Sequence, residues 1–245
     1  MQIAVLIKQV PGTTHVEIDP DTGTLRRDGV AAKMNPYDLF ALEEALRLKE
    51  KHGASVTVVT MGPPQAASVA EEALCMGVDG AYVLSDRKFA GADVLATGRT
   101  LARGLQIVAK REGFSHFDLI LCGKQTTDGD TAQVGPEVAQ QLGLPHVANL
   151  TRIREVTDAR VTVDADMGEY EMTVALPLPA LCTVDKDVNT PRLPSVRRRY
   201  ERRDAGAPGA VILTFADYEG ADEKESGLGG SPTRGERIFP PDVNR

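Results

Sequence analysis

Cysteine is scarce in this chain, and it never comes in pairs. Cys75, Cys122 and Cys182 are the only three among 245 residues, and no two form a C-x-x-C motif. Neither a disulfide framework nor a zinc site is expected, and each cysteine should serve as a small buried apolar residue. Long apolar runs are missing as well. No stretch approaches the ~18 residues that a membrane helix needs. Met1 leads straight into "IAVLI", without the basic and apolar segments of a secretory signal. These absences predict a cytoplasmic protein with no membrane insertion. Positive charge is also short overall. A net charge of −7 argues against a general nucleic-acid binder. The hydrophobic content, 42%, is enough to bury a real core in one large or two small domains.

The charge is unevenly placed. Lys186 to Arg203 holds seven basic residues and two acidic ones, whereas Asp204 to Arg245 holds four basic and eight acidic. A basic band thus lies on an otherwise acidic molecule, either as a solvated face or as a docking surface for a protein partner.

Short β-branched apolar runs recur at "IAVLI" (3–7), "SVTVVTM" (55–61), "AYVLS" (81–85) and "DLILCG" (118–123). They read as buried parallel strands. Between them lie helical segments at Tyr37 to Lys51, Gln65 to Met76, Ala92 to Lys110 and Thr131 to Leu142. The alternation predicts an α/β fold, an open and mostly parallel Rossmann-like sheet with helices on both faces. "VEIDPDTGTLRR" (16–27) predicts a small hairpin inside the first crossover. After Leu150 the pattern alternates, predicting an antiparallel hairpin and a following strand at the sheet edge. Residues 1–185 are read as the nucleotide-binding domain, and 186–245 as a partner-recognition loop and extended C-terminal arm. The arm's composition cannot build a core alone.

The stretch from Gly123 to Gly135 is richer than a strand-to-helix turn requires. In open α/β sheets ligands bind where strands hand over to helix N-termini, whose free N–H groups and positive dipole end attract phosphate. Gly123, Gly129 and Gly135 would let the backbone approach an anion closely. Thr126, Thr127 and Thr131 offer hydroxyls, and Asp128 or Asp130 is suited to cap the helix or hold a ribose, with Lys124 offsetting the charge. No Walker loop, no G-x-G-x-x-G and no Ser-Gly-Gly-x-Asp-Ser loop is present. The expected site therefore binds a nucleotide without machinery to cleave it. Asn35 and Pro36, suited to the start of a helix, and Gly62 at the end of the second strand point to the same pocket.

The order Gly123-Lys124-Gln125, then Asp128-Gly129-Asp130-Thr131-Ala132-Gln133-Val134-Gly135-Pro136, resembles the beta subunit of the electron-transfer flavoproteins. "IKQVP" (7–11), "MNPYD" (34–38), "LEEALRLKE" (42–50), "MGPP" (61–64), "NTPRLPSVR" (189–197) and "SPTR" (231–234) match in order, so the resemblance covers nearly the whole chain. It implies a heterodimer with an alpha subunit. It also implies a nucleotide held by Leu6, Ile7, Lys8, Asn35, Pro36, Tyr37, Met61, Gly62 and the loop from Gly123 to Val134. In that family the nucleotide is AMP in simple electron carriers and FAD in electron-bifurcating members. "LSDRKFAGADVLATG" (84–98) is similar to the bifurcating group and adds Phe89, Gly91, Ala92, Asp93 and Thr97 to the expected FAD site. There Gly91 and Ala92 would leave room for a ring system, and Asp93 would polarise flavin or ribose groups.

The resemblance further implies NADH as electron donor, ferredoxin or flavodoxin as low-potential acceptor, and an acyl-CoA dehydrogenase-like or other flavin dehydrogenase as partner. Since the flavin would supply the redox chemistry, no catalytic residue and no metal is expected, and His15, His52, His116 and His146 are read as surface or capping residues. The docking loop would comprise Val188 as apolar anchor with Asn189, Pro191, Arg192, Arg197 and Arg198, its basic residues steering an acidic partner. Family members usually continue some thirty residues beyond "SPTR" into a helix that embraces the alpha subunit, so part of that interface is expected to differ here.

Overall fold

A computed structural model describes residues 1–12 and 32–233. The expected hairpin at 16–27, His15 and Arg234 lie outside the described residues.

The chain opens with strand β1 (Gln2–Leu6), followed by a small antiparallel pair, β2 (Gln9–Pro11) and β3 (Ala32–Met34). Helix α1 (Pro36–His52) has proline in its first turn, basic residues in its last and Gly53 in the left-handed conformation as its stop. Then come β4 (Ser55–Met61), α2 (Ala67–Met76), β5 (Gly80–Leu84), α3 (Val94–Arg111), β6 (Leu119–Gly123) and α4 (Val134–Leu142). Four further strands follow, β7 (His146–Val156), β8 (Arg160–Asp166), β9 (Glu171–Pro177) and β10 (Ala180–Val184). The arm contains α5 (Val196–Asp204) and a short strand, β11 (Val211–Leu213).

The nine strands of the main sheet run in the order β11-β5-β4-β1-β6-β10-β7-β8-β9. All neighbours from β11 to β7 are parallel, and only β8 and β9 are antiparallel. The alternating segment was expected to add strands only at the edge. β8 and β9 do lie there, but β10 inserts between β6 and β7 in the sheet's interior, and all five of its residues are buried. Burial on both faces is what a central parallel strand requires.

Two apolar clusters cover the two faces. One packs Leu42, Leu46, Val69 and Leu74 of α1 and α2 against Val5, Val58 and Leu121. The other packs Leu101, Leu105 and Val138 of α3 and α4 against Leu6, Val59 and Ile120. The arm joins this second face. Leu213 is fully buried, and Tyr218 lies 5.0 Å from Phe89 between ring centroids while its hydroxyl donates to the Thr100 carbonyl. All three cysteines are buried, as expected.

Candidate functional site

From β1 the chain winds outward through β4 to β5, then crosses back to place β6 on β1's other side. The crevice beyond the carboxyl ends of β1 and β6 is therefore the topological switch point, the usual ligand position in such sheets. It is formed by Leu6 to Lys8 on one side and Gly123 to Gln125 on the other, residues nominated from sequence.

Asp38, in the first turn of α1, ties these two strand ends together. One carboxylate oxygen accepts the Lys8 N–H at 2.8 Å and the other accepts the Gly123 N–H at 3.1 Å. The side chain is buried, and burial pushes its pKa up to about 7 against the lowering effect of these donors. Sequence reasoning passed over Asp38 because an acidic residue in a first helical turn is ordinary.

Asn35 precedes α1 but does not cap it with its side chain. Instead, fully buried, it reaches the phosphate-loop candidate: its Nδ2 donates to the Gln125 carbonyl at 2.9 Å and its Oδ1 accepts the Thr127 N–H at 3.3 Å. Lys8 completes the attachment through an ion pair with Asp128 at 2.7 Å. Lys124, expected to offset that aspartate, pairs with Asp185 at 3.0 Å. Gln125 donates to Asp130.

The helix after this loop begins at Val134, not Thr131, with Gln133 at its cap and no side-chain cap bond. Neither Asp128 nor Asp130 caps it. Residues 127–133 run exposed above the strand ends, and Asp130 and Ala132 adopt φ of 46° and 55°. Non-glycine residues held in this left-handed region are strained, and such strain concentrates at ligand-binding sites. With Pro136 in the first turn lacking an N–H, the free donors of α4 are concentrated on Val134 and Gly135.

The glycines divide by role. A Cβ at Gly123 would lie 2.5 Å from Asp38 Oδ1 and 2.6 Å from the Tyr37 carbonyl carbon, and one at Gly135 would lie 2.6 Å from Thr183 Cγ2 and 2.8 Å from Cys122 Sγ. These two are small so that protein can pack on protein. Gly129 alone is open to the loop's outer side, meeting only Thr126 Oγ1, at 3.3 Å.

Met61 ends β4, next to β1, and the N–H of Gly62 just beyond it donates to the Leu84 carbonyl at 3.1 Å. The stretch 84–98, one strand further out, is engaged by the arm. Phe89 is buried between Phe215 and Tyr218. Gly91, expected to leave room for a ring system, faces the Leu228 side chain at 3.2 Å from a Cβ position. Asp93 caps α3 by accepting the Ala96 N–H at 3.0 Å, and its second oxygen accepts the Thr233 hydroxyl at 2.7 Å. Its carboxyl is held below the usual range because these donors outweigh burial's upward push. Ala92 and Thr97 flank it, half-buried.

The basic band also sorts itself. Val188, the expected apolar anchor, packs half-buried against the core. Leu193, between Arg192 and Pro194, is 87% exposed, and Val196 and Tyr200 of α5 continue an apolar stripe at 66% and 52%. Asn189 and Arg192 turn inward onto α1, and Arg198 donates to the Met76 carbonyl at 2.8 Å. Arg197 remains at the surface with only a helical pair to Glu201, and Pro191 is half-buried. Leu193, Val196 and Tyr200 follow an i, i+3, i+7 spacing in the sequence, but only the last two lie in α5. The signal for Leu193 in the sequence is that spacing among charged residues, together with the proline that follows it.

A family model described as "Electron transfer flavoprotein domain" matches residues 22–213. The chain belongs to the electron transfer flavoprotein family. The beta subunit of the electron transfer flavoprotein of Megasphaera elsdenii is 43% identical over 242 residues, 98% of this chain and 88% of that protein. The caffeyl-CoA reductase-Etf complex subunit CarD of Acetobacterium woodii shows the same identity over the same length. Protein FixA of Azorhizobium caulinodans is 41% identical over 246 residues, 98% of this chain and 85% of that protein. As an electron transfer flavoprotein beta subunit, the chain takes an alpha-subunit partner. Among the described residues no helix is long and apolar enough to cross a membrane.

Proposed function

We propose that this beta subunit binds FAD across the carboxyl ends of β6, β1, β4 and β5 and, with its alpha subunit, takes part in electron bifurcation. The observation that carries this reading is the strand order. Strands lie ~4.8 Å apart, so the 84–98 stretch at β5 stands roughly 15 Å from the β6 end. A ligand that uses both the 123–134 loop and the 84–98 stretch must extend well beyond AMP. The uncapped start of α4 fits a phosphate, Asn35 and Lys8 hold the loop, and Met61 and Gly62 lie between the two contact regions. FAD, when bound, would supply the redox chemistry, accepting electrons from NADH and dividing them between a ferredoxin or flavodoxin and, through the alpha subunit, a dehydrogenase. The chain's own residues bind, orient and shield it.

A second reading, structural AMP, is favoured by the arm. Leu228 covers Gly91, and Asp93 is engaged by Thr233. Denaturing the purified heterodimer in FAD-replete buffer and weighing the released nucleotides decides between them. Two FAD per heterodimer supports bifurcation; one FAD with one AMP overturns it.

For the dehydrogenase, the exposed Leu193 with Arg197 and Arg199 beside it suits a partner that offers an apolar pocket rimmed by acids, such as an acyl-CoA dehydrogenase-like flavoprotein.

A further inference from the structure

The loop that presents Leu193 is strung between two helices. On one side it is fixed to α1. The Glu43 carboxylate, in a residue only 4% exposed, accepts the Arg192 backbone N–H at 3.1 Å and its guanidinium at 2.8 Å and 3.2 Å, while Arg47 donates to it at 3.0 Å. Asn189 is bound to the same helix through the Phe40 carbonyl and Glu44, each at 3.0 Å. On the other side the loop is fixed to α2, where the Cys75 carbonyl accepts the Ser195 N–H at 3.1 Å. Only Leu193 and Pro194 lie between the two attachments. The proline restricts Leu193 to extended conformations. An 87% exposed leucine held on such a short span keeps little conformational freedom to lose when it enters a pocket.

We propose that Glu43 is a positioning residue for partner docking: by clamping Arg192 it holds Leu193 in its projecting position before a flavin dehydrogenase arrives. This rests on the reading of Leu193 as the docking anchor. Four donors meet on this one buried carboxylate, and three of them come from Arg192, the residue adjacent to the anchor. Glu43 stays ionised because the Arg192 and Arg47 donors outweigh the upward push of burial.

The test uses the intact heterodimer as electron donor to an acyl-CoA dehydrogenase, with Glu43→Gln, Arg192→Gln, the double variant and Leu193→Ala. Glu43→Gln and Arg192→Gln should each raise KM for the heterodimer roughly tenfold with kcat within about twofold. The double variant should be no worse than either single one, and amide exchange at residues 192–196 should accelerate in all three. Arg192→Gln, altered at a partly exposed position, serves where Glu43→Gln folds poorly. An unchanged KM in Leu193→Ala overturns the docking reading itself. A raised KM in Leu193→Ala with unchanged KM and exchange in Glu43→Gln and Arg192→Gln overturns the positioning role alone. Loss of bound nucleotide alongside a raised KM would assign Glu43 to the integrity of α1 and overturn it too.

Discussion

Asp38 Oδ1 accepts the backbone N–H of Gly123 at 3.1 Å across the join of α1 and β6, so closely that a Cβ on Gly123 would lie 2.5 Å from the same oxygen. The glycine and the buried carboxylate are one feature: the chain has no room for a methyl where it needs the hydrogen bond.

Gly123→Ala must therefore displace either Asp38 or the Tyr37 backbone. Overpacking of this kind costs about 1–3 kcal/mol. Urea melts of the subunit should show a loss in that range together with weaker nucleotide retention.

Asp38 also sets a pH dependence. Its carboxyl titrates near 7 in the folded chain, above the 3.8 of an ordinary aspartate. The folded state thus holds a proton that the unfolded chain has already released, and stability contributed by the protonated form is lost as pH rises from about 4 through 7. The loss should total a few kcal/mol, accruing at about 1.4 kcal/mol per pH unit between those two values. Denaturation of wild type and Asp38→Asn between pH 4 and 8 checks this. Parallel curves for the two proteins would remove Asp38 as the source.

Asn35→Ala leaves the Gln125 carbonyl and the Thr127 N–H without their partner in a partly buried place. A loss of about 1–3 kcal/mol is expected, with faster amide exchange at residues 125–130 and reduced nucleotide content by mass spectrometry.

Asp93→Ala removes both the α3 cap and the Thr233 contact. The cap alone is worth about 1 kcal/mol. Limited proteolysis should cut the arm near residues 227–233 sooner than in wild type, while the sheet stays intact by circular dichroism.

These outcomes also mark what was readable in the residues. The runs at 3–7, 55–61, 81–85 and 118–123 announced β1, β4, β5 and β6 within a residue, because buried parallel strands are apolar on both faces. The place of β10 was not readable. "ALCTV" looks like any buried strand, and its neighbours are chosen by long-range pairing. The loop's position was legible from its excess of small and polar residues. Its internal wiring was not, since Lys8 meets Asp128 across 120 residues and Asn35 meets Gln125 across 90. The left-handed Ala132 carries no turn signal at all. The sequence does not reveal how far Val188 and Leu193 are exposed, because exposure depends on what packs against each: Val188 lies half-buried on the core and Leu193 stands 87% exposed.

Helix α1, with Asn35 just before it, carries Asp38 in its first turn and, further along, Glu43 and Glu50, which both pair with Arg192, so one rigid rod of 17 residues, about 25 Å long at 1.5 Å per residue, is tied to both the 123–134 loop and the loop that presents Leu193. It acts as a gauge bar. Under the proposed function, that rod would hold the nucleotide and the dehydrogenase at one spacing on this subunit.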